Sequence, residues 1–276
     1  MMAKFSKMHG LGNDFVVMDS LTQHVHMTPA IVRRIADRHT GVGCDQLIMI
    51  GPPNDPHLDF NARYFNADGS EAEQCGNGAR CVARYVYDRK LTGNRTLRVR
   101  TAKRVLELRI NQNGSVTAEM GMPIFEPAEI PFDAPKRENV YTIVAGENDY
   151  EIAAVSMGNP HAVLQTDSTH CADVAGVGAQ LEAHPRFANK VNVGFMQIEN
   201  RQHIKLRVFE RGVGETLACG TAACAAVVAG IQQDLLGPAV CVSLPGGDLA
   251  VDWDGEGTSV SMTGPAVNVF NGYIKL

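Results

Sequence analysis

The sequence lacks long apolar runs and any excess of positive charge. Its longest uncharged apolar stretch, residues 217–231, is too short to span a bilayer. Residues 1–15 contain lysines and glycines where a secretory signal would have an apolar core. The net charge of −5 and the pI near 6.0 argue against binding to nucleic acid or to an anionic membrane surface. These absences predict a cytoplasmic protein that has neither nucleic acid nor membrane as a partner.

The sequence also lacks the cysteine spacing that is typical of disulfide frameworks and of zinc sites. The seven cysteines are an odd number, no secretory signal accompanies them, and no two have Cys-x-x-Cys spacing. This argues against a disulfide framework and against a zinc site, so no metal is expected. With 45% hydrophobic and 20% charged residues, the chain has the composition of a soluble globular protein, and its length allows two domains.

Short alternating segments dominate the hydrophobic pattern. Strand-like alternation occurs at residues 15–18, 46–50, 58–65, 97–101, 105–110 and 115–119. The last two segments flank Asn113-Gly114, which is typical of a β-hairpin. Helices are expected only at residues 29–39 and directly after Cys75 and Cys219. The pattern predicts a strand-rich α/β fold.

An internal repeat is the most informative feature of the chain. Residues 65–83 (FNADGSEAEQCGNGARCVA) and 209–227 (FERGVGETLACGTAACAAV) both place Cys-Gly ten residues after a phenylalanine. Both also place an alanine four residues after the cysteine. The two cysteines, Cys75 and Cys219, are 144 residues apart.

The repeat extends upstream of these segments. Gly12-Asn13 and Gly158-Asn159 are 146 residues apart, and so are Gln46 and Asn192. Several matches at nearly one spacing predict two similar domains related by a pseudo-twofold axis. Two equivalent cysteines would then face each other across a cleft.

Two such cysteines suit proton transfer at a carbon atom. In each half, Cys-Gly opens a helix, where unpaired backbone N–H groups and the helix dipole favour a thiolate and bind a carboxylate. If a thiolate removes an α-proton while the opposite thiol supplies another, the stereocentre inverts. Helix amides on the carboxylate would stabilise the charge that develops. This chemistry needs no cofactor, although the residues alone leave a lysine Schiff base to pyridoxal phosphate open.

The simpler interpretation of a cysteine beside a glycine is a small buried residue. The repeated context favours chemistry only for Cys75 and Cys219. The simpler interpretation holds for the other cysteines, namely Cys44, Cys81, Cys171, Cys224 and Cys241.

Three motifs together resemble the diaminopimelate epimerase family. They are residues 8–15 (MHGLGNDF), residues 65–81 (FNADGSEAEQCGNGARC) and residues 210–221 (ERGVGETLACGT). The resemblance covers essentially the whole chain. It implies an isomerase independent of pyridoxal phosphate that interconverts LL- and meso-diaminopimelate in the lysine and peptidoglycan precursor pathway. It also implies a homodimer without cofactor.

The resemblance further implies the domain architecture. Each of the two similar domains is expected to be a mixed or antiparallel sheet wrapped around a central helix. The first would comprise residues 1–118, with residues 264–276 returning to it, and the second residues 119–263.

The resemblance assigns roles to individual residues. Catalytic positions are expected at Cys75, Cys219, His161 and Glu210. Substrate-binding positions are expected at Asn13, Gln46, Asn66, Gly76, Asn77, Asn159, Asn192, Glu210, Arg211, Gly220 and Thr221. An arginine fork suits a carboxylate and a glutamate suits an ammonium, so Glu210 and Arg211 would hold a distal amino-acid group.

Other interpretations stay open at this point. The asparagines also suit turns, Glu210-Arg211 also suits a surface charge pair, and His161 also suits a structural histidine. A proline or hydroxyproline racemase would use the same two cysteines without needing Glu210-Arg211. A thiol-disulfide oxidoreductase would use them as a dithiol, and a binding module would not use them for chemistry.

Overall fold

The computed structural model describes residues 2–72 and 76–276, and it separates the chain into two compact units. The first unit comprises residues 1–119 and 263–276, and the second comprises residues 120–262. Among the described residues, no helix is long and apolar enough to cross a membrane.

Four α-helices and 18 strands make up the described chain. The helices are α1 Pro29–Ala36, α2 Gly76–Asp88, α3 Val174–Glu182 and α4 Gly220–Gln232, with one 3-10 turn at Pro127–Glu129. The first strands are β1 Met2–Gly10, β2 Asn13–Asp19, β3 Gln46–Gly51, β4 Phe60–Asn66, β5 Glu71–Ala72, β6 Thr96–Arg100, β7 Val105–Ile110 and β8 Val116–Gly121. The others are β9 Tyr141–Ala145, β10 Asn148–Ser156, β11 Pro160–Gln165, β12 Asn192–Asn200, β13 His203–Glu210, β14 Gly214–Thr216, β15 Ala239–Leu244, β16 Gly247–Asp252, β17 Val260–Gly264 and β18 Val267–Lys275.

The sheet of the first unit has the order β18-β1-β2-β3-β4-β6-β7-β8, with β5 paired to the end of β4. Two of its pairs, β2–β3 and β4–β6, are parallel. Parallel neighbours require a long crossover connection. Helix α1 lies in the first crossover and α2 in the second.

The second unit repeats this arrangement. Its order is β9-β10-β11-β12-β13-β15-β16, with β14 paired to the end of β13. The parallel pairs are β11–β12 and β13–β15, whose crossovers contain α3 and α4. The registers agree too, since Phe15 pairs with Gln46 and His161 with Asn192, both 146 residues further on. Helices α2 and α4 begin 144 residues apart and end 144 residues apart.

Helix α2 is the central helix of the first unit. It packs against β1, β2, β3, β7 and β18, and nine of its 13 residues are buried. Gly78 permits the close approach to the sheet, because a Cβ atom there would lie 2.8 Å from Tyr64 Cε1 and 3.1 Å from Ile48 Cδ1. The small residue is therefore required by packing.

Helix α4 occupies the same place in the second unit. It packs against β10, β11, β12, β13, β15 and β16, and ten of its 13 residues are buried. An α-helix that is apolar all round belongs in a core, and the alanines, glycines and valines of α4 allow strands to surround it. The predicted mixed α/β fold, with two similar domains each built around a central helix, is confirmed.

A paired arginine and glutamate recurs beside both central helices. Arg63 donates to both carboxylate oxygens of Glu71, at 2.8 and 2.9 Å. Arg207 does the same to Glu215, at 2.6 and 2.8 Å. These two forks join β4 to β5 and β13 to β14, the short strands that lead toward α2 and α4.

Candidate active site

In the first unit, three predicted residues lie at one edge of the sheet. Asn13 begins β2, Gln46 begins β3, and Asn66 ends β4 as the register partner of Gln46. Gln46 Nε2 donates to Asn66 Oδ1 at 2.9 Å. Gln46 Oε1 is buried, with no hydrogen-bond partner among the described residues. This edge therefore offers an amide oxygen that can accept a bond from a ligand.

Asn77 and Arg80 lie behind this edge on α2. The buried Asn77 side chain donates from Nδ2 to Asn13 Oδ1 at 3.5 Å and accepts from Arg80 Nη2 at 2.8 Å. Arg80 is fully buried and also donates to the carbonyl oxygen of Gly76 at 3.4 Å. The Asn77 amide is thus held within the protein, and Gly76 is the first residue of the helix. Cys75 lies outside the described residues.

In the second unit, Cys219 is the N-cap residue of α4. Its backbone is extended, with φ −128° and ψ 112°, and its carbonyl oxygen accepts the Ala223 N–H at 3.0 Å. Cys219 is 7% exposed, and its sulfur lies 3.5 Å from Thr221 Oγ1. Gly220 comes next, and a Cβ atom there would lie 3.0 Å from Met262 Sδ, so a larger residue would have to displace the Met262 side chain.

Burial and the Glu210 carboxylate raise the pKa of Cys219 well above its usual range. Hydrogen bonds from Thr221 and from the Ala222 N–H lower this pKa but do not outweigh those causes. We expected the helix start to favour a thiolate, and for Cys219 this expectation is wrong. Desolvation penalises the charged form more strongly than one helix end favours it.

Glu210 ends β13 beside Cys219. The Thr216 hydroxyl donates to Glu210 Oε1 at 2.6 Å, which fixes the carboxylate across the β13–β14 turn. The negative charge of this carboxylate lies close enough to the Cys219 thiol to raise the pKa of that thiol. A carboxylate beside a thiol is a group to which that thiol can lose its proton.

Asn192 and Arg211 are joined through the backbone. The buried Asn192 amide donates to the Pro160 carbonyl oxygen at 2.9 Å and accepts the Arg211 N–H at 3.1 Å. The exposed Arg211 side chain donates from Nη1 to the Asn189 carbonyl oxygen at 2.9 Å. Asn192 therefore links the Arg211 N–H to the Pro160 carbonyl oxygen through the two ends of its amide.

His161 is the register partner of Asn192 and is 1% exposed. Burial, with a smaller effect of the Arg211 charge, lowers the pKa of His161 to about 3, so the imidazole is neutral near pH 7. Nε2 lies 3.1 Å from Asn159 Oδ1 and carries the proton if that oxygen accepts. Nδ1 is then a buried acceptor, without a partner in residues 2–72 and 76–276.

The sequence profile of the diaminopimelate epimerase family matches residues 5–126 and 153–269. The chain belongs to the diaminopimelate epimerase family. Diaminopimelate epimerases of Ectopseudomonas mendocina and Stutzerimonas stutzeri are each 52% identical to it over 276 residues, which is 100% of both chains in each comparison. The resemblance that the motifs indicated is therefore confirmed, and with it the prediction of an isomerase.

Two solved structures share the fold of this diaminopimelate epimerase family member. A hydroxyproline epimerase from Agrobacterium vitis superposes with a TM-score of 0.71 at 14% identity, covering 99% of this chain and 92% of that one. A phenazine biosynthesis protein of the PhzF family from Bacillus anthracis superposes with a TM-score of 0.69 at 16% identity, covering 100% of both. At such low identity, the likeness concerns the fold alone.

Sequence reasoning missed a charged network behind Asn13. Asn13 Nδ2 donates to Asp45 Oδ2 at 2.9 Å, and Arg38 bridges Asp45 and Asp14 with contacts of 2.8 Å. Burial raises the pKa of Asp14, but hydrogen bonds from Arg38 and Lys7 outweigh this effect and hold the pKa well below its usual range. The only sequence signal for this network was the position of Asp45 directly before Gln46.

Proposed function

We propose that this protein interconverts LL-2,6-diaminopimelate and meso-diaminopimelate by two-base proton transfer, with Cys75 and Cys219 as the paired acid and base and with no cofactor. Membership of the diaminopimelate epimerase family supports the reaction. The observation that carries the mechanism is the position of Cys219, which is buried at the N-cap of α4 where the Glu210 charge raises the pKa of its thiol.

The protonation state of Cys219 supports its role as the acid in one direction. Because its pKa is raised, the thiol keeps its proton near pH 7. In that direction Cys75, as the thiolate, takes the α-proton and the Cys219 thiol gives its proton to the opposite face of the carbanion. The two sulfurs thereby exchange their protonation states, and the reverse reaction restores them. Glu210 lies beside Cys219 and would assist by exchanging a proton with this thiol.

The helix starts supply the binding site for the substrate carboxylate at the reacting carbon. The first turns of α2 and α4, at Gly76-Asn77 and Gly220-Thr221, carry backbone amides of the kind that binds anions at the start of a helix. Charge moves onto this carboxylate in the transition state, so the amides would stabilise the transition state more than the ground state.

The polar residues around these helix starts complete the proposed site. Neutral His161 would accept a hydrogen bond at Nδ1 and orient a thiol. The Arg211 guanidinium would bind the distal carboxylate, and Glu210 the distal ammonium. Amide side chains would line the site at Asn13, Gln46, Asn66, Asn159 and Asn192.

Proton NMR in heavy water tests the proposal. When the reduced protein is mixed with LL-diaminopimelate without pyridoxal phosphate, the α-proton signal of the substrate should disappear while meso product accumulates. The signal disappears because the thiol that completes the inversion delivers deuterium from the solvent. Cys75→Ala and Cys219→Ala should each abolish inversion, whereas serine at either position leaves one thiol able to exchange a proton. Inversion by both alanine variants would contradict the two-base mechanism. If the unaltered protein exchanges no α-proton, diaminopimelate is not its substrate.

The assembly and the compartment are also proposals. We propose a cytoplasmic homodimer whose small-molecule substrate is diaminopimelate, built from epimerase domains at residues 1–118 with 264–276 and at residues 119–263. Size-exclusion chromatography with light scattering would distinguish a dimer from a 29.8 kDa monomer.

A further inference from the structure

We propose that Glu182, at the end of α3, is a positioning residue that holds Arg211 in place for substrate binding. The inference rests on the proposed function, in which the Arg211 guanidinium binds the distal carboxylate of the substrate. Glu182 would act through the backbone of the turn that follows β13, and not through contact with the substrate.

The contact is a short bond between a buried carboxylate and a backbone amide. Glu182 is 9% exposed, and its Oε1 accepts the Gly212 N–H at 2.7 Å. The same oxygen lies 3.4 Å from Lys190 Nζ. A hydrogen bond to an ionised acceptor is stronger than one between neutral groups. The peptide that follows Arg211 is therefore tied to α3.

The turn needs such support because of its composition. Gly212 and Gly214 both adopt left-handed backbone conformations, with φ +75° and +98°, and Val213 between them is 74% exposed. Glycines lose more conformational freedom on ordering than other residues do. No residue from Gly212 to Gly214 has a polar side chain that could close the turn.

The equivalent turn of the first unit is closed from within. Asp68 Oδ1 accepts the Ser70 N–H at 2.8 Å and the Ser70 hydroxyl at 2.6 Å, and Asn66 Nδ2 donates to that hydroxyl at 3.0 Å. Asp68 and Ser70 correspond to Gly212 and Gly214, 144 residues later. The second turn has glycines in place of these polar side chains. It keeps a backbone bond from the Val213 N–H to the Glu210 carbonyl oxygen at 3.0 Å, and its remaining acceptors come from outside the turn.

Two acceptors from outside the turn, Asn192 and Glu182, bind consecutive backbone N–H groups. Asn192 accepts the Arg211 N–H at 3.1 Å, and Glu182 accepts the next N–H, that of Gly212. The peptide groups on both sides of the Arg211 Cα atom are therefore fixed. Fixing them lowers the entropy that the arginine would lose when it binds a carboxylate.

Steady-state kinetics of Glu182 variants test the inference. Glu182→Ala should raise KM for LL-diaminopimelate about tenfold and leave kcat within about twofold, because binding of the distal end is equally impaired in the ground and transition states. Glu182→Gln keeps an acceptor oxygen and should rescue KM to within about threefold of the unaltered protein. Equal defects in both variants, or a loss in kcat alone, would overturn the inference.

A matched control lies on the same helix. Asp173 caps the start of α3, where its Oδ1 accepts the Gly176 N–H at 2.9 Å. Asp173→Ala removes a carboxylate–amide bond from α3 without touching the turn, so KM should stay unchanged. A KM rise equal to that of Glu182→Ala would show that Glu182 only stabilises the helix.

Amide hydrogen exchange separates this inference from the proposed function. Exchange at the Gly212 N–H should accelerate in Glu182→Ala and stay slow in Asp173→Ala, whatever the substrate is. Unchanged exchange at Gly212 would overturn the positioning role even if the protein epimerises diaminopimelate. If exchange accelerates but the protein does not epimerise diaminopimelate, the proposed substrate is wrong and the role of Glu182 in holding the turn stands. In a double variant, Arg211→Ala should abolish the further KM effect of Glu182→Ala.

Discussion

The buried neutral imidazole of His161 makes folding stability depend on pH. In the folded protein, burial and the Arg211 charge lower the pKa of His161 to about 3. In the unfolded chain, a histidine has a pKa of about 6.5. Between these two values the unfolded state binds a proton that the folded state does not bind. The free energy of unfolding must therefore fall as the pH falls through this window.

The size of the effect follows from one proton. Each pH unit within the window changes the free energy of unfolding by about 1.4 kcal/mol. Between about pH 6.5 and pH 4.0, His161 should therefore reduce stability by about 3 kcal/mol. His161→Gln retains a polar side chain but cannot gain the proton, so its stability should fall less over the same interval.

Urea unfolding at several pH values measures this difference. Carboxylates also titrate in this range, but they titrate in both proteins, so the difference in slope between them isolates His161. Equal slopes for His161→Gln and the unaltered protein would refute the claim that this imidazole stays neutral.

Three further predictions concern single side chains. Glu210→Gln should bring the pKa of Cys219 down toward its usual range, because a neighbouring negative charge disappears. Alkylation of this cysteine, followed by peptide mapping, should then begin at lower pH. An unchanged alkylation profile would contradict the effect of Glu210 on this thiol. Arg211→Ala should lower kcat/KM for diaminopimelate by at least about tenfold, measured by coupled assay, and near-normal turnover would favour a substrate without a distal group. Gly78→Ala places a Cβ atom 2.8 Å from a buried aromatic ring. It should destabilise the fold by about 1–2 kcal/mol in urea titrations, whereas Gly93→Ala meets nothing within 4 Å and should be neutral.

The repeat made much of the fold predictable from sequence. Cys-Gly at matched positions placed both central helices, and α2 and α4 do begin at Gly76 and Gly220. Local side-chain chemistry explains where the prediction failed for α1. That helix was expected to reach residue 39 but ends at Ala36, because the Asp37 carboxylate accepts the N–H groups of His39 and Thr40 at 2.9 and 2.6 Å. Such a turn competes with continued helix.

The supporting contacts of the candidate site were not predictable in this way. Asp45 with Asn13, and Glu182 with Gly212, are pairs about 30 residues apart whose members carry no motif of their own. The protonation of Cys219 also required the structure. Sequence predicts the helix start beside the thiol, but burial and the Glu210 carboxylate decide its pKa.

The two arginine–glutamate forks, Arg63–Glu71 and Arg207–Glu215, bear on how the chain arose. Both forks are bidentate and join the same two strands in each half, and the corresponding residues of the two halves are 144 positions apart in both cases. Their recurrence at identical spacing indicates an ancestral half-length gene that already had the fork before it was duplicated and fused. Positions where the halves now differ, such as Ala67 and Arg211, then record specialisation after the fusion. A duplicated polypeptide could acquire an arginine on one side only, which a symmetric pair of identical chains could never do.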